Sequence, residues 1–205
     1  MKSTVCIVED DPPVRQSLEL LLKSHGIAVR AYPSAEAFLA QREANWCSCL
    51  LLNLSLPGMN GLELQKTLHG CCDNTPIIFV SGHGDIPSAV NAVKSGAVDF
   101  LPKPFSNEEL IQRVEEAFKQ YHEMRRSESE NAANLSRLQS LTKREREILD
   151  LVVQGLSSKE IARRLNVSYR TVETHRTRIM RKMDTRSLPE LVAKTLFCQD
   201  SELSD

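Results

Sequence analysis

The sequence of 205 residues has no apolar run long enough to cross a membrane. Its continuous apolar stretches, such as 49–52 and 77–80, are far shorter than the roughly 18 residues that a membrane helix needs. Aromatic residues make up only 5%, but 41% hydrophobic and 26% charged residues are ordinary values for a globular protein and exclude disorder throughout. The N-terminus leads directly into a strand-like run rather than a secretory leader, so we expect a cytoplasmic protein.

The cysteines and histidines lack the spacing of a metal site. Six cysteines are present, but none forms a Cys-x-x-Cys pair, and the five histidines share no spacing with them or with each other that zinc would require. So few cysteines in a chain of this length also exclude a disulfide miniprotein. We therefore expect reduced thiols.

The net charge of −1 hides an asymmetry between the two ends of the chain. Residues 1–120 hold 10 basic and 14 acidic side chains, whereas residues 141–196 hold 13 basic and 7 acidic ones. This shift predicts two domains, of which the second has an anionic partner such as nucleic acid.

Short apolar segments alternate with helical patterns in the first 120 residues. Several of the segments are apolar without interruption, as strands buried on both faces are. Between them, spacings such as that of Leu18, Leu21 and Leu22 are typical of amphipathic helices. Residues 1–120 are therefore predicted to form an α/β domain with a doubly wound, five-stranded parallel sheet. We predict the strands at 4–8, 28–31, 49–52, 77–80 and 98–101.

Polar side chains follow four of these strands at the edge where parallel sheets carry their functional crevice. Glu9 and Asp10 follow the first strand, Asn53 the third, Ser81 the fourth and Lys103 the fifth. Because clustered carboxylates repel each other, we expect a hard divalent cation such as Mg²⁺ to neutralise them. A hydroxyl and an ammonium at the same edge are the groups that a phosphoryl group requires.

Four segments around these residues are distinctive, namely Val8–Asp11, Leu56–Gly61, Ser81–Asp85 and Ala97–Phe105. Together they resemble the receiver domain of bacterial two-component response regulators, of the FixJ type. The resemblance implies a flavodoxin-like fold in which Glu9, Asp10 and the residue at position 53 hold Mg²⁺. It also implies that Ser81 and Phe100 are switch residues and that Lys103 holds a phosphoryl oxygen. The Lys103–Pro104 bond is often cis in this family.

Position 53 departs from the family pattern, in which an aspartate accepts the phosphoryl group. A neutral amide is a very poor nucleophile, so we predict that the chain is not phosphorylated at Asn53. The loss of one negative charge is also expected to weaken Mg²⁺ binding. Two origins stay open: a natural atypical receiver that has lost phosphotransfer, or an Asp-to-Asn variant of an ordinary regulator. Ser55 is a weak substitute acceptor, because no base is expected beside it.

The rest of the chain changes character from strands to short helices. Residues 121–140 are polar and mixed in charge, which predicts a linker, helical at most at its start. Capping boxes that begin at Thr142 and Ser157 predict two short helices, followed by a longer helix over 169–183 and a fourth helix. This pattern predicts an all-α, four-helix domain over 141–198 that contains a helix-turn-helix.

Segments 141–149, 155–162 and 171–176 are similar to the LuxR/NarL/FixJ-type DNA-binding domain, whose second helix enters the major groove. The resemblance implies base contacts from Glu173, Thr174 and Thr177, and the acidic Glu173 suits a cytosine amino group. Its last helix, around 188–196, resembles a dimerisation helix. The full set of predicted DNA-binding residues is Lys159, Ser168, Tyr169, Arg170, Thr171, Glu173, Thr174, His175, Thr177, Arg178 and Lys182.

These features predict a DNA-binding transcriptional regulator of a two-component phosphorelay rather than an enzyme. The expected partners are double-stranded promoter DNA, a sensor histidine kinase, RNA polymerase and, when the regulator is active, a second copy of the chain. A phosphorylation-independent transcription factor and an adaptor that does not bind DNA are the alternatives, although the basic C-terminal region counts against the adaptor. An aspartate-phosphate hydrolase would need the nucleophile that position 53 lacks.

Overall fold

The computed structural model describes residues 3–41, 47–71, 74–82 and 86–202. The chain forms two compact units that meet in sequence between Met124 and Arg125. None of the helices in these described ranges is long and apolar enough to cross a membrane. Residues 83–85, which belong to the distinctive segment Ser81–Asp85, lie outside the described residues.

The first unit is built on a five-stranded sheet in the order β2-β1-β3-β4-β5, with every neighbouring pair parallel. The predicted doubly wound α/β fold is therefore confirmed, and each strand lies within one residue of its predicted position. The strands are β1 (Thr4–Val8), β2 (Ala28–Tyr32), β3 (Cys49–Leu52), β4 (Ile77–Ser81) and β5 (Asp99–Pro102).

Helices cover both faces of this sheet. Side chains of β3 alternate between two apolar clusters, since Leu50 and Leu52 pack on one face while Cys49 and Leu51 pack on the other. Burial on both faces explains why this strand is continuously apolar. The helices are α1 (Pro12–Ser24), α2 (Ala35–Ala40), α3 (Gly61–Gly70), α4 (Ile86–Lys94) and α5 (Asn107–Gln139).

Helix α5 is longer than the sequence indicated, because it includes nearly all of the segment predicted as a linker. Its buried side chains, Leu110, Val114, Ala117 and Tyr121, all lie in its first half. From residue 122 to residue 139 no side chain of α5 is buried. That part of the helix carries ion pairs such as Arg125–Glu128, whose closest atoms are 2.8 Å apart.

The remaining helices pack around one apolar cluster that includes Ile148, Ile161, Val172 and Leu191. Local signals in the sequence define their ends. The capping boxes at the starts of α6 and α7 are present as predicted, and the residue that caps the C-terminal end of α7, Asn166, has a left-handed backbone with φ of 51°. The helices are α6 (Lys143–Val153), α7 (Ser158–Leu165), α8 (Tyr169–Lys182) and α9 (Leu188–Glu202).

Candidate acidic pocket and nucleic-acid interface

The residues predicted for a phosphoryl site lie at one edge of the sheet. Glu9 and Asp10 follow β1, Asn53 follows β3, Ser81 ends β4 and Lys103 follows β5. The backbone ladder continues beyond the strands, because the Asn53 N–H donates to the last residue of β1 at 2.9 Å and the Lys103 N–H donates to Ser81 at 2.9 Å. The parallel pairing of the strands thus determines the backbone positions from which these side chains extend.

The Asn53 side chain bridges the two acidic residues. Its Nδ2 donates to Oε1 of Glu9 at 3.0 Å, to Oδ1 of Asp10 at 2.9 Å and to the carbonyl of Ser55 at 3.1 Å. The reverse amide orientation would set its oxygen against three acceptors, which is unfavourable. Position 53 therefore contributes a hydrogen-bond donor where a carboxylate would contribute only acceptors.

Two cationic side chains complete the pocket. Lys103 Nζ lies 2.7 Å from Oε2 of Glu9, whose side chain is almost fully buried. Arg15 donates through Nη1 to the backbone carbonyls of Glu9 at 2.6 Å and Asp10 at 3.1 Å. Arg15 was not among the residues predicted from the sequence for this pocket. The available signal was its place in the first turn of α1, where the helix dipole disfavours a cation unless it has another partner.

The two predicted switch residues lie on adjacent strands. Ser81 is buried at the end of β4 and pairs in register with Pro102 of β5. Phe100 is half-buried on β5, where its ring stacks on Phe79 with centroids 6.4 Å apart. The Lys103–Pro104 peptide bond is cis. The strand ends thus bring together the acids, Asn53, Ser81 and Lys103, while Phe100 packs against the core beside them.

The pocket in this arrangement does not fit Mg²⁺. The ion would be held by carboxylate oxygens, but three of the four oxygens of Glu9 and Asp10 already accept hydrogen bonds from Asn53 or Lys103, so a cation there would face N–H donors. Across the described residues, no group of three acidic, histidine or cysteine side chains is arranged to hold a metal ion. Nδ2 of Asn53 lies within hydrogen-bond distance of both carboxylates that would hold a cation.

The second candidate site is the exposed face of α8. Val172, Ile179 and Met183 are buried, as their spacing predicted. The solvent-facing residues of this helix include three arginines and two threonines, namely Arg170, Thr174, Thr177, Arg178 and Arg181. Within the part of the chain that the structure describes, these arginines form no ion pair. Such a helix face can neutralise phosphates and contact base edges.

Ser168, Tyr169 and Thr171 lie at the start of α8. Oγ of Ser168 accepts from the Thr171 N–H at 3.0 Å and lies 2.7 Å from the Thr171 hydroxyl. In this structure both residues therefore take part in capping the N-terminus of α8. Tyr169 is exposed beside them, and Lys159 is exposed at the start of α7. His175 is half-buried, and its Nδ1 has no hydrogen-bond partner among the described residues.

Lys182 and Arg176 both link α8 to neighbouring helices. Lys182 Nζ lies 2.7 Å from Oε2 of Glu145 and 3.2 Å from the carbonyl of Ser140. Bonds from Lys182 and from the backbone of Thr142 lower the pKa of Glu145 to about 2. Arg176 donates to Oγ of Ser158 on α7 at 2.6 Å. The predicted phosphate contact Lys182 thus already has an internal partner, and no local pattern in the sequence indicates either link.

Two family models match the chain. The response regulator receiver domain matches residues 5–115, and the bacterial regulatory proteins of the luxR family match residues 139–195. The chain belongs to the LuxR-type response regulators. This response regulator is 44% identical to the transcriptional regulatory protein FixJ of Rhizobium meliloti (strain 1021) over 194 residues, which cover 94% of this chain and 95% of FixJ.

Other relatives of this response regulator match over nearly its full length. The response regulator protein TmoT of Ectopseudomonas mendocina is 41% identical over 204 residues, which cover 98% of this chain and 91% of TmoT. Among solved structures, the response regulator StyR has 40% identity and a TM-score of 0.84, over 95% of this chain and 98% of StyR.

The family defines what this response regulator does. It is a DNA-binding transcriptional regulator of a two-component system rather than an enzyme. DNA and a sensor kinase are the partners that its two domains imply.

Proposed function

We propose that this response regulator controls transcription without phosphorylation at position 53. The observation that carries the proposal is the Asn53 amide, which donates hydrogen bonds to Glu9 and Asp10. An amide nitrogen has its lone pair delocalised into the carbonyl and cannot attack phosphorus as a carboxylate oxygen does. The receiver therefore has the residues that surround a phosphoryl group but no group that accepts it.

Phosphotransfer tests this proposal directly. The full chain is incubated with ³²P-labelled acetyl phosphate and Mg²⁺, and also with a phosphorylated sensor kinase. We expect no covalent label on the parent chain and labelling of Asn53→Asp. A Ser55→Ala variant is the matched control for the neighbouring hydroxyl. Label that peptide mapping places at Asn53 would overturn the proposal, whereas label that disappears in Ser55→Ala would identify the neighbouring hydroxyl as the acceptor.

DNA binding is proposed to use the exposed face of α8. Arg170, Arg178 and Lys159 are exposed cations suited to phosphates, and Glu173, Thr174 and Thr177 would contact base edges. Ser168, Tyr169, Thr171, His175 and Lys182 complete the proposed interface; Lys182 would take part while keeping its contact with Glu145.

Anisotropy of labelled promoter DNA over a series of salt concentrations tests this interface. Affinity should fall steeply as salt rises, because bound phosphates release counterions. An affinity that does not depend on salt would support an adaptor that does not bind DNA.

The proposed active form is a homodimer on two half-sites that acts together with RNA polymerase. Leu188 and Leu196 of α9 support the dimer, because these large apolar side chains are 39% and 46% exposed. Binding to paired half-sites one helical turn apart, compared with a single half-site, tests the dimer by the cooperativity of binding.

A further inference from the structure

The acidic pocket contains two cationic side chains beside Glu9 and Asp10. Glu9 and Asp10 contribute two negative charges, and Lys103 and Arg15 contribute two positive charges within hydrogen-bond distance of those residues. The amide of Asn53 then fills the gap between the two carboxylates, with donor–acceptor distances of 3.0 and 2.9 Å. The repulsion between the acids is thus relieved by groups of the chain itself.

A metal ion could enter only if Asn53 changed its orientation. Rotation of the amide would present its oxygen to the ion, but the two N–H groups of Nδ2 would also lose their contacts with both carboxylates and with the Ser55 carbonyl. On its other side, Oδ1 faces the Ser55 N–H at 3.4 Å, so rotation would set two donors against each other there. The Asn53 side chain therefore fills the site, and the cost of rotating its amide opposes replacement of the amide by a cation.

We propose that the Asn53 amide is a permanent substitute for the divalent cation in this pocket, so that the receiver is assembled without metal. The inference deepens the proposed function, since it explains how the charges of Glu9 and Asp10 are compensated in a receiver that accepts no phosphoryl group. Exclusion of the ion by Asn53 makes a different prediction from the simple loss of one metal ligand at position 53. If Asn53 excludes the ion, removal of its side chain should increase metal binding, although the pocket then offers one oxygen fewer.

Titration of the full chain with Mn²⁺, followed by electron paramagnetic resonance of the free ion, tests this inference. The variants are Asn53→Ala, Asn53→Asp and, as matched control, Ser55→Ala, because Ser55 contacts Asn53 only through its backbone. We expect Asn53→Asp to bind about one ion and Asn53→Ala to bind Mn²⁺ at least about fivefold more tightly than the parent. Ser55→Ala should bind no more tightly than the parent.

Two results would overturn the inference. One is an Asn53→Ala variant that binds Mn²⁺ no better than the parent. The other needs no variant: a rise of several degrees in the thermal midpoint of the parent chain when 10 mM Mg²⁺ replaces EDTA, where we expect a change below about 1 °C. Both readouts are independent of phosphotransfer, so a failure here is distinguishable from a failure of the proposed function.

Discussion

The ammonium of Lys182 lies 2.7 Å from Oε2 of Glu145, and this pair joins the last turn of α8 to the first turn of α6. The same oxygen accepts from the N–H of Thr142 at 2.9 Å and from its hydroxyl at 3.0 Å. One carboxylate therefore caps α6 and anchors α8. Because Glu145 is buried, the pair is a structural link whose loss should alter the domain as a whole.

Acid should weaken this link. The pKa of Glu145 is about 2 in the folded chain, below its ordinary value of 4.5. A lowered folded-state pKa means that the stabilisation is present above pH 4.5 and disappears as the pH falls towards 2. We expect the parent to lose on the order of 2 kcal/mol more than Glu145→Gln over this interval in urea unfolding. Equal losses in the two proteins would contradict the assignment.

Arg178 should affect DNA affinity but not stability. It is exposed on α8, so Arg178→Gln should leave the free energy of unfolding within about 0.5 kcal/mol of the parent. If the guanidinium contacts a phosphate, the slope of log K against log salt should become shallower by about 0.9. Lys119→Gln removes an exposed cation of α5 and is the matched control, whose slope should equal that of the parent. An unchanged slope in Arg178→Gln would remove this residue from the interface.

Thr174 and Thr177 should recognise bases through their methyl groups. Their hydroxyls donate to the carbonyls of Arg170 and Glu173 at 2.9 and 3.0 Å, which leaves no hydroxyl donor for a base. Thr→Val at either position keeps the methyl and should preserve the sequence preference. Thr→Ser keeps the hydroxyl and should weaken binding at a contacted thymine by roughly fivefold.

Sites selected from random DNA by the full chain provide the measurement for these threonine variants. Deoxyuridine in place of the contacted thymine should weaken the parent as much as the serine variant does, because both remove a methyl group. A valine variant with lost preference would show instead that the hydroxyl contacts the base.

Gly61 should tolerate no side chain. A Cβ there would lie 2.5 Å from the carbonyl oxygen of Asn53 and 2.9 Å from the ring of Phe79. Gly61→Ala should therefore displace the end of β3 and cost about 1–3 kcal/mol in urea unfolding. At Gly70, at the other end of α3, an added methyl group would meet nothing within 4 Å. Gly70→Ala should be neutral or stabilising by up to about 1 kcal/mol, and an equal loss in both variants would refute the steric explanation.

The sequence was sufficient to predict the sheet and the starts of α6 and α7. Uninterrupted apolar runs such as Cys49–Leu52 are local patterns, and so is the spacing of Thr142 and Glu145 in a capping box. Parallel strands then bring their ends to one edge, which is why residues far apart in sequence could be predicted to meet there.

Contacts that depend on side-chain reach could not be predicted in this way. Arg15 reaches the backbone of Glu9, and Lys182 pairs with a carboxylate 37 residues away, although neither pair follows a local spacing. The extent of α5 was also underestimated. Its second half has no apolar stripe, but it contains neither glycine nor proline and is rich in strong helix formers.

The second half of α5 should open more readily than the first, because the two halves differ in burial. Up to Tyr121 the helix is fixed by packing, whereas from residue 122 to residue 134 no side chain is buried and the turns carry exposed charges such as Arg126 and Glu130. Exposed pairs of this kind contribute little and are screened by salt. Amide protons of residues 122–134 should therefore exchange with deuterium well before those of residues 110–121, and the first proteolytic cuts should fall among them.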